Sequence, residues 1–369
     1  MRLERIRLQL IRLPLREPFR IASGVTHERR ILLTRLDFGG VEGIGECVAG
    51  EAPFYSAETV DTARLVIERH VGPALLGREL AGPEDVAPLL DSAARGHAMA
   101  KAALEMATWD AFARAAGVSM TDALGGRGGS VLAGVSLGIQ DDTAALLDRV
   151  ADYLDQGYAR IKLKIAPGRD LDVVAAVRVQ FPGISLTVDA NAAYSVRDLN
   201  RLRALDDFGL DYIEQPFPPD ALLLHAELQA HLDTALCLDE TITSPERCRD
   251  ALKLGACRVV NIKPGRLGGY VRSVEVHDAC AEVDVPVWCG GMLESGIGRA
   301  HNLALATLPN MTLPGDTSAS DRYWVRDVVD PPFTLNEDGS VDVPTGPGIG
   351  VTLDEDFLHS IEEDRLDLR

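Results

Sequence analysis

Five charged side chains follow consecutive apolar, strand-like segments at a nearly constant spacing. They are Lys164, Asp189, Glu214, Asp239 and Lys263, separated by 25, 25, 25 and 24 residues. A single charge after a strand is usually a helix cap or a solvated group. Because the interval repeats, we expect all five to lie side by side at the carboxyl ends of neighbouring parallel strands, where barrel enzymes carry their chemistry.

The three central members of this set, Asp189, Glu214 and Asp239, are carboxylates. Carboxylate oxygens are the ligands of hard divalent cations, so the set favours Mg²⁺ over Zn²⁺, with Mn²⁺ as a substitute. Buried carboxylates this close together would repel one another in the absence of a cation. The pattern therefore predicts a magnesium site.

The segment RIKLKI, residues 160–165, shows how lysines could join this site. In a strand, Ile161, Leu163 and Ile165 share one face, and Lys162 and Lys164 share the other. We expect the aliphatic face to pack on outer helices and both lysines to face the barrel interior. Burial near another cation should lower the pKa of a lysine there towards the range of a general base.

Lys164, nearest the mouth, is the predicted base, and Lys263 would approach the substrate from the opposite side of the carboxylates. Two bases that flank one carbon indicate proton removal and proton return. A metal ion would bind the substrate carboxylate and stabilise the enediolate formed when the α-proton leaves.

Strand-like runs that alternate with helical patterns must position these residues. Eight runs over about 190 residues favour a (β/α) barrel, with an open doubly wound sheet as the alternative. No GxGxxG follows the first run, which weighs against the open sheet. The predicted strands are 131–137, 159–165, 184–188, 210–213, 235–238, 258–262, 285–289 and 311–313.

The chain divides into three predicted parts. Residues 1–125 mix strands and helices and should form an α+β domain, and the glycine-rich ALGGRGGS at 123–130 marks its end. Residues 126–320 carry the barrel rhythm. Residues 321–369 are turn-rich, with a last short helix, and we expect them to pack back on the first domain.

Composition excludes several classes of protein. The 369 residues carry a net charge of −19, which argues against a nucleic-acid partner. The start has charges throughout and no apolar core for a signal peptide, and no run is long and apolar enough to span a bilayer. Six cysteines without a CxxC pair are typical of reduced thiols in a cytoplasmic protein.

Short motifs around the charged register resemble the enolase superfamily, and the muconate-lactonizing subgroup matches best. A later region resembles its branch of N-acylamino acid racemases and o-succinylbenzoate synthases. The likeness covers essentially the whole chain and implies a (β/α)7β barrel with a capping domain formed by the N-terminal third and the C-terminal tail. The motifs are KLK at 162–164, DAN at 189–191, EQP at 214–216, DE at 239–240, NIKPGRLGG at 261–269, VWCGGMLESGIGRAHN at 287–302 and LPGDTSASDRYW at 313–324.

The resemblance also implies residue roles. Asp189, Glu214 and Asp239 would bind Mg²⁺, and Lys164 and Lys263 would be the acid and base. Lys162 would hold a substrate carboxylate oxygen. Glu240, Arg266 and Asn191 would orient ligands, and Arg266 would also tune Lys263; a turn or surface role is the alternative for Asn191 and Arg266.

By the same likeness, the segment EPFRIASGVT at 17–26 would be a lid over the site with Gly24 as its hinge, and a plain hairpin loop is the alternative. The GGMLESG segment follows the seventh predicted strand and should line the pocket. The predicted substrate contacts are Phe19, Ser23, Tyr55, Asn191, Gly291, Met292 and Leu293.

The function implied is Mg²⁺-dependent proton abstraction α to a carboxylate of a small molecule, in o-succinylbenzoate synthesis for menaquinone, in racemisation of N-acylamino acids such as N-succinylamino acids, or in both. Within the family, muconate cycloisomerisation and dipeptide epimerisation stay open. Dipeptide epimerases carry an Asp-x-Asp pair after the eighth strand, however, and this chain offers only Asp316 there. Outside the family, a Schiff-base aldolase and a non-catalytic metal-binding descendant are the alternatives. Relatives of this kind commonly form dimers or octamers, so we expect a homo-oligomer.

Overall fold

The computed structural model describes residues 1–21, 24–140 and 142–369. Within those ranges, fifteen strands run along the chain. They are β1 Arg5–Ile21, β2 Gly24–Asp37, β3 Glu42–Cys47, β4 Ser130–Leu132, β5 Gly134–Leu137, β6 Arg160–Lys164, β7 Leu186–Asp189, β8 Tyr212–Glu214, β9 Ala235–Leu238, β10 Val259–Ile262, β11 Val287–Cys289, β12 Val329–Asp330, β13 Ser340–Asp342, β14 Thr352–Leu353 and β15 Glu362–Leu368.

The same ranges contain fourteen α-helices, together with short 3₁₀ segments and one π-helical turn, Ile67–Val71. None of these helices is long and apolar enough to cross a membrane. The α-helices are α1 Val60–Val66, α2 Gly72–Leu75, α3 Val86–Ala93, α4 Ala98–Ala116, α5 Met120–Ala123, α6 Thr143–Asp155, α7 Leu171–Gln180, α8 Leu199–Arg203, α9 Leu222–Gln229, α10 Pro245–Lys253, α11 Pro264–Leu267, α12 Tyr270–Ala281, α13 Gly296–Leu305 and α14 Glu355–Ser360.

A four-stranded antiparallel sheet with helices forms a cap. Its strand order is β15-β1-β2-β3, so the end of the chain returns to the sheet in which the chain begins. Helix α4 packs closely on β3. A Cβ at Gly43 or Gly45 would lie within about 2 Å of the carbonyl oxygen of Ala107 or Ala103, respectively. Only glycine allows this approach of helix and strand.

The barrel sheet contains seven parallel strands in the order β11-β10-β9-β8-β7-β6-β5. The order follows the sequence without a reversal, so the chain is not a doubly wound sheet. The predicted (β/α)7β barrel with its capping domain is confirmed. Parallel bridges from Val287 to Met311 and from Ala133 to Gly315 lie between β11 and β5, where the barrel closes.

The eighth predicted strand, 311–313, is wrong as a regular strand. The segment makes the bridges at Met311 and Gly315, and Pro314 between them has no N–H to donate to a ladder. A β-rich run beside a proline and a glycine therefore closes the barrel without forming a strand of its own.

The two faces of each barrel strand have different environments. Ile161 and Leu163 of β6 are fully buried in the core that the outer helices share. On the inner face, Tyr212, Cys237 and Trp288 form a separate apolar cluster inside the barrel. On the same inner face, Glu214 and Asp239 lie two residues further along the chain than Tyr212 and Cys237, at the mouth.

The described residues of the segment 17–26 belong to a hairpin, which was the alternative to a lid. Strands β1 and β2 extend into it, and Phe19 pairs with Thr26 and Arg20 with Val25. The expected hinge, Gly24, begins β2, and the lid role stays a prediction. The predicted contact Ser23 lies outside the described residues.

Candidate active site

The five charged residues of the sequence register meet at the mouth of the barrel. Lys164 pairs in register with Asp189, and Asp189 pairs with Glu214 on the next strand. Asp239 and Lys263 follow β9 and β10 directly. Lys164 is partly exposed and the other four are buried.

Each of the three carboxylates accepts a hydrogen bond from a lysine ammonium. The contacts are Lys164 Nζ to Asp189 Oδ2 at 2.6 Å, Lys162 Nζ to Glu214 Oε2 at 2.9 Å and Lys263 Nζ to Asp239 Oδ2 at 2.8 Å. Lys162 thus faces the interior beside Lys164, as the alternation in RIKLKI predicted.

These contacts shift the pKa values in opposite directions. Burial raises the pKa of Glu214 to about 7, and the neighbouring Asp189 adds to the rise. Burial also acts to raise the pKa of Asp239, but Lys263 and Arg266 outweigh it and lower that pKa to about 2. The cluster therefore holds one carboxylate with a lowered pKa, Asp239, and one whose pKa is close to 7, Glu214.

The expectation of a lowered lysine pKa is wrong for Lys162. Burial acts to lower the pKa of Lys162, but the carboxylates of Asp316, Glu214 and Asp189 together raise it by more, so the pKa lies well above its ordinary value. Lys263 behaves likewise, since Asp239 outweighs burial. The expectation counted the neighbouring cations and gave too little weight to the carboxylates that contact each ammonium.

The donor set suits a hard divalent cation. Asn191 Oδ1 and Glu240 Oε2 are buried oxygens without a hydrogen-bond partner, and the amide of Asn191 contacts both Asp189 and Glu240. Within the described ranges, however, no three His, Cys, Asp or Glu side chains already form a metal-binding group. The three carboxylates are of the type that binds a hard divalent cation, and one oxygen of each accepts a hydrogen bond from a lysine.

Arg266 and Tyr55 contact Oδ1 of Asp239, whereas Lys263 contacts Oδ2. Arg266 Nη1 donates to Asp239 Oδ1 and, at 2.8 Å, to the Tyr55 hydroxyl. The Tyr55 hydroxyl itself lies 3.0 Å from Asp239 Oδ1, and Lys263 Nζ lies 4.8 Å from the centre of the Tyr55 ring. Both residues therefore contact the pair formed by Asp239 and Lys263, and the tuning of Lys263 by Arg266 stays a prediction.

A cavity of about 410 Å³ lies between the cap and the barrel mouth. Lys164 and Lys263 both line it, and it has the size of a site for a small molecule. Six of the predicted substrate contacts also line it: Phe19, Tyr55, Asn191, Gly291, Met292 and Leu293. Lys162, another predicted contact, lines a smaller cavity that shares Lys164 and Lys263 with this one. Their contact with substrate stays a prediction.

Two residues that shape the site were not predicted from the sequence. Gln215, in EQP, accepts hydrogen bonds from the backbone N–H groups of Asp239 and Thr241, so it fixes the chain around a predicted metal ligand. Arg160 lies on the same inner face of β6 as Lys162 and bonds Asp316. The alternation that singled out the two lysines also includes Arg160 and could have revealed it.

Comparisons with known proteins agree over nearly the whole chain. One family model, described as the N-terminal domain of mandelate racemase / muconate lactonizing enzyme, matches residues 6–125, and a second, described as enolase C-terminal domain-like, matches residues 145–357. An N-succinylamino acid racemase of Amycolatopsis sp is 49% identical over 362 residues, 98% of each chain. An o-succinylbenzoate synthase of Bacillus subtilis is 44% identical over 361 residues, 96% of this chain and 95% of that protein. The crystal structure of an enolase-superfamily protein from Listeria innocua has a TM-score of 0.96 at 41% identity, covering 100% of this chain and 99% of that chain.

Proposed function

The chain belongs to the enolase superfamily, in its branch of N-succinylamino acid racemases and o-succinylbenzoate synthases, and we propose that it removes the proton α to a carboxylate of a succinylated small molecule. The substrate is an N-succinylamino acid, the cyclohexadiene precursor of o-succinylbenzoate, or both. The observation that carries the proposal is the placement of Lys164 and Lys263 on one cavity, each against a different carboxylate of the same cluster.

This placement supports two-sided proton transfer. Lys164 ends β6, whereas Lys263 follows β10, so the strands that carry Asp189, Glu214 and Asp239 lie between them in the sheet. A carbon held over the carboxylates would have one ammonium or amine on either side. One lysine removes the proton and the other returns it, which inverts the centre.

Asp189, Glu214 and Asp239 would hold the Mg²⁺ that the family implies, with Mn²⁺ as a substitute. When bound, the cation supplies positive charge to the oxygens of the substrate carboxylate as the enediolate forms. Lys162, whose ammonium reaches Glu214 and Asp316, adds a second positive charge on the same side. Phe19, Met292 and Leu293 give the cavity apolar walls that exclude water from the reacting carbon.

The two activities share their first half. Both begin with removal of a proton α to a carboxylate, and they differ in the second half: proton return from the second lysine for racemisation, or loss of water for dehydration. One site can serve both reactions, because the interactions that stabilise the first transition state are the same.

Proton NMR in D₂O with Mg²⁺ tests the proposal. We expect the wild type to exchange the α-hydrogen of both enantiomers of N-succinylphenylglycine and to interconvert them. Lys164→Ala and Lys263→Ala should each abolish racemisation, and each should spare exchange of only one enantiomer. Absence of exchange with either enantiomer would contradict the proposed racemase activity. Formation of o-succinylbenzoate from its precursor would then test the proposed dehydratase activity.

We further propose a cytoplasmic location and a homo-oligomeric state, a dimer or an octamer, on the strength of the family alone. Sedimentation velocity of the purified chain measures the second directly. A single species of monomer mass at micromolar concentration would contradict it.

A further inference from the structure

Arg160 is a buried cation inside the barrel, two residues before Lys162. It begins β6, shares the inner face of that strand with Lys162 and Lys164, and is 1% exposed. Gly134 on the adjacent strand makes room for it, since a Cβ there would lie 2.4 Å from Arg160 Cζ. Its Nε and Nη1 atoms are buried without partners, so its one charged contact carries particular weight.

That contact is with Asp316, on the segment that closes the barrel. Arg160 Nη2 donates to Asp316 Oδ1 at 2.9 Å, and Lys162 Nζ donates to Asp316 Oδ2 at 2.7 Å. The Ser136 hydroxyl lies 3.3 Å from Asp316 Oδ1. Both carboxylate oxygens are therefore engaged, each by a cation.

Asp316 also faces the substrate. It lines a small cavity of about 60 Å³ at the barrel mouth together with Lys164, Lys263 and Phe19. An anion in that position would attract an ammonium carried by the substrate, if its charge were free. Arg160 and Lys162 together outweigh the single negative charge, and they hold the pKa of Asp316 below its usual range against the effect of burial.

We propose that Arg160 is a specificity-determining residue: by neutralising Asp316, it makes the site reject substrates whose acyl group carries an ammonium and accept those whose acyl group is neutral or anionic. This inference rests on the proposed function, since it names the substrate class of the same site. Arg160 acts through Asp316 and does not itself line either cavity that holds the lysines.

Asp189 and Glu294 also line the small cavity and could attract an ammonium. Asp189 accepts from Lys164 at 2.6 Å, whereas Glu294 accepts from the Met292 backbone N–H and the Asn302 amide, which are neutral donors. Neither contact of Glu294 involves Arg160, so removal of Arg160 leaves both contacts in place. A variant that also removes the charge of Asp316 separates Asp316 from Asp189 and Glu294.

The test compares two substrates that differ only by an ammonium, N-propanoylphenylglycine and alanylphenylglycine. Their α-hydrogen exchange in D₂O gives kcat/KM for each. We expect Arg160→Met to raise the ratio of alanyl to propanoyl substrate about tenfold or more, the effect of one charge-assisted hydrogen bond worth about 1.4 kcal/mol. Arg160→Lys should keep the wild-type ratio.

Two variants serve as controls. Arg160→Met combined with Asp316→Asn should return the ratio to the wild-type value, because the negative charge that Arg160 neutralises is then absent. Arg299→Met removes another buried arginine, 3% exposed, which donates to backbone carbonyls of Ser318 and Glu294 and, among the residues that the structure describes, to no carboxylate. It should lower both rates or neither, with the ratio unchanged.

An unchanged ratio in Arg160→Met, or a raised ratio that persists in the double variant, would overturn the proposal. Should Arg160→Met fail to fold, Arg160→Gln removes the charge and keeps a polar group. If the wild type exchanges neither these substrates nor N-succinylphenylglycine, the proposed function fails. Calorimetric measurement of how tightly the two compounds bind then tests the proposal for Arg160 independently of any reaction. Tighter binding of alanylphenylglycine to Arg160→Met than to wild type supports it, and equal binding overturns it.

Discussion

Buried carboxylates occur both at the barrel mouth and in the seam between cap and barrel, and their partners differ. At the mouth, Asp239 and Asp316 accept from lysine and arginine side chains. In the seam, Glu105 of α4 accepts from the backbone N–H groups of Tyr270 and Val271, which begin α12. Asp239 and Asp316 thus face cations, whereas Glu105 faces the N-terminus of a barrel helix.

The pKa values follow the partners. In the seam, burial raises the pKa of Glu105 to about 7 and that of Glu46 to about 8, because neutral donors do not offset the desolvation of the charge. At the mouth, burial is opposed by cations, which lower the pKa of Asp239 and Asp316. Similar burial therefore gives opposite pKa shifts at Glu105 and Asp239, whereas Glu214 at the mouth keeps a raised pKa because burial and Asp189 outweigh Lys162.

The two regions also differ in what they can do. Helix N-termini satisfied by a carboxylate fix the cap on the barrel. Ammonium groups against carboxylates, beside a cavity, form a set of charges that a cation or a substrate can redistribute. The seam therefore positions the site, and the mouth carries the chemistry. Variants in each region can test that division.

The largest expected effect is on activity at the mouth. Glu214→Gln removes a predicted metal ligand and should lower kcat/KM for the exchange reaction by about 10³-fold or more. Its thermal midpoint without metal should not fall, because the amide removes a carboxylate that burial and Asp189 already disfavour in its charged form. A large loss of stability with retained activity would reverse the roles assigned to mouth and seam.

Metal addition should stabilise the protein through the mouth alone. At a Mg²⁺ concentration 100 times the dissociation constant, linkage predicts a gain of about 2.7 kcal/mol in the free energy of unfolding. Chelation should reverse it. Denaturant titrations of wild type and Glu214→Gln measure the gain, and an equal gain in the variant would place the cation elsewhere.

The mouth could be predicted from sequence because its geometry repeats locally. Each barrel unit supplies one strand, so the 25-residue interval placed Lys164, Asp189, Glu214, Asp239 and Lys263 at one edge before any contact was known. Strand alternation then gave the inward face of Lys162. Both signals depend on residues close together in the chain.

Pairs that join distant segments could not be predicted. Arg160 and Asp316 are 156 residues apart and meet only because the barrel closes. The rise in the pKa of Lys162 depends in part on that closure, since Asp316 is one of its partners. The seam glutamates are likewise invisible to periodicity, because a buried acid on α4 cannot be told from a solvated one until α12 lies against it.

A seam variant should affect stability and leave the chemistry intact. Glu105→Ala leaves the N–H groups of Tyr270 and Val271 and the indole N–H of Trp109 without their acceptor. We expect a loss of about 1 to 3 kcal/mol in the free energy of unfolding. Glu105→Gln keeps one acceptor oxygen and should lose less. Below the unfolding transition, kcat/KM of both variants should stay within about twofold of wild type, and a hundredfold loss would make Glu105 part of the site.

The last prediction concerns the pH dependence of stability. Glu46 of β3 accepts from the Ser295 and Gly298 backbone N–H groups at the start of α13, and burial raises its pKa to about 8. The folded protein therefore binds a proton that the unfolded chain releases above its ordinary pKa, near 4.5. Stability from this group is present at low pH and is lost as pH rises through that interval, by up to about 1.4 kcal/mol per unit. Glu46→Gln cannot ionise, so its free energy of unfolding should fall less than that of wild type between pH 5.5 and 8.5. Parallel curves for the two proteins in denaturant titrations would show that Glu46 is ionised throughout, and the contrast between seam and mouth would then fail at this residue.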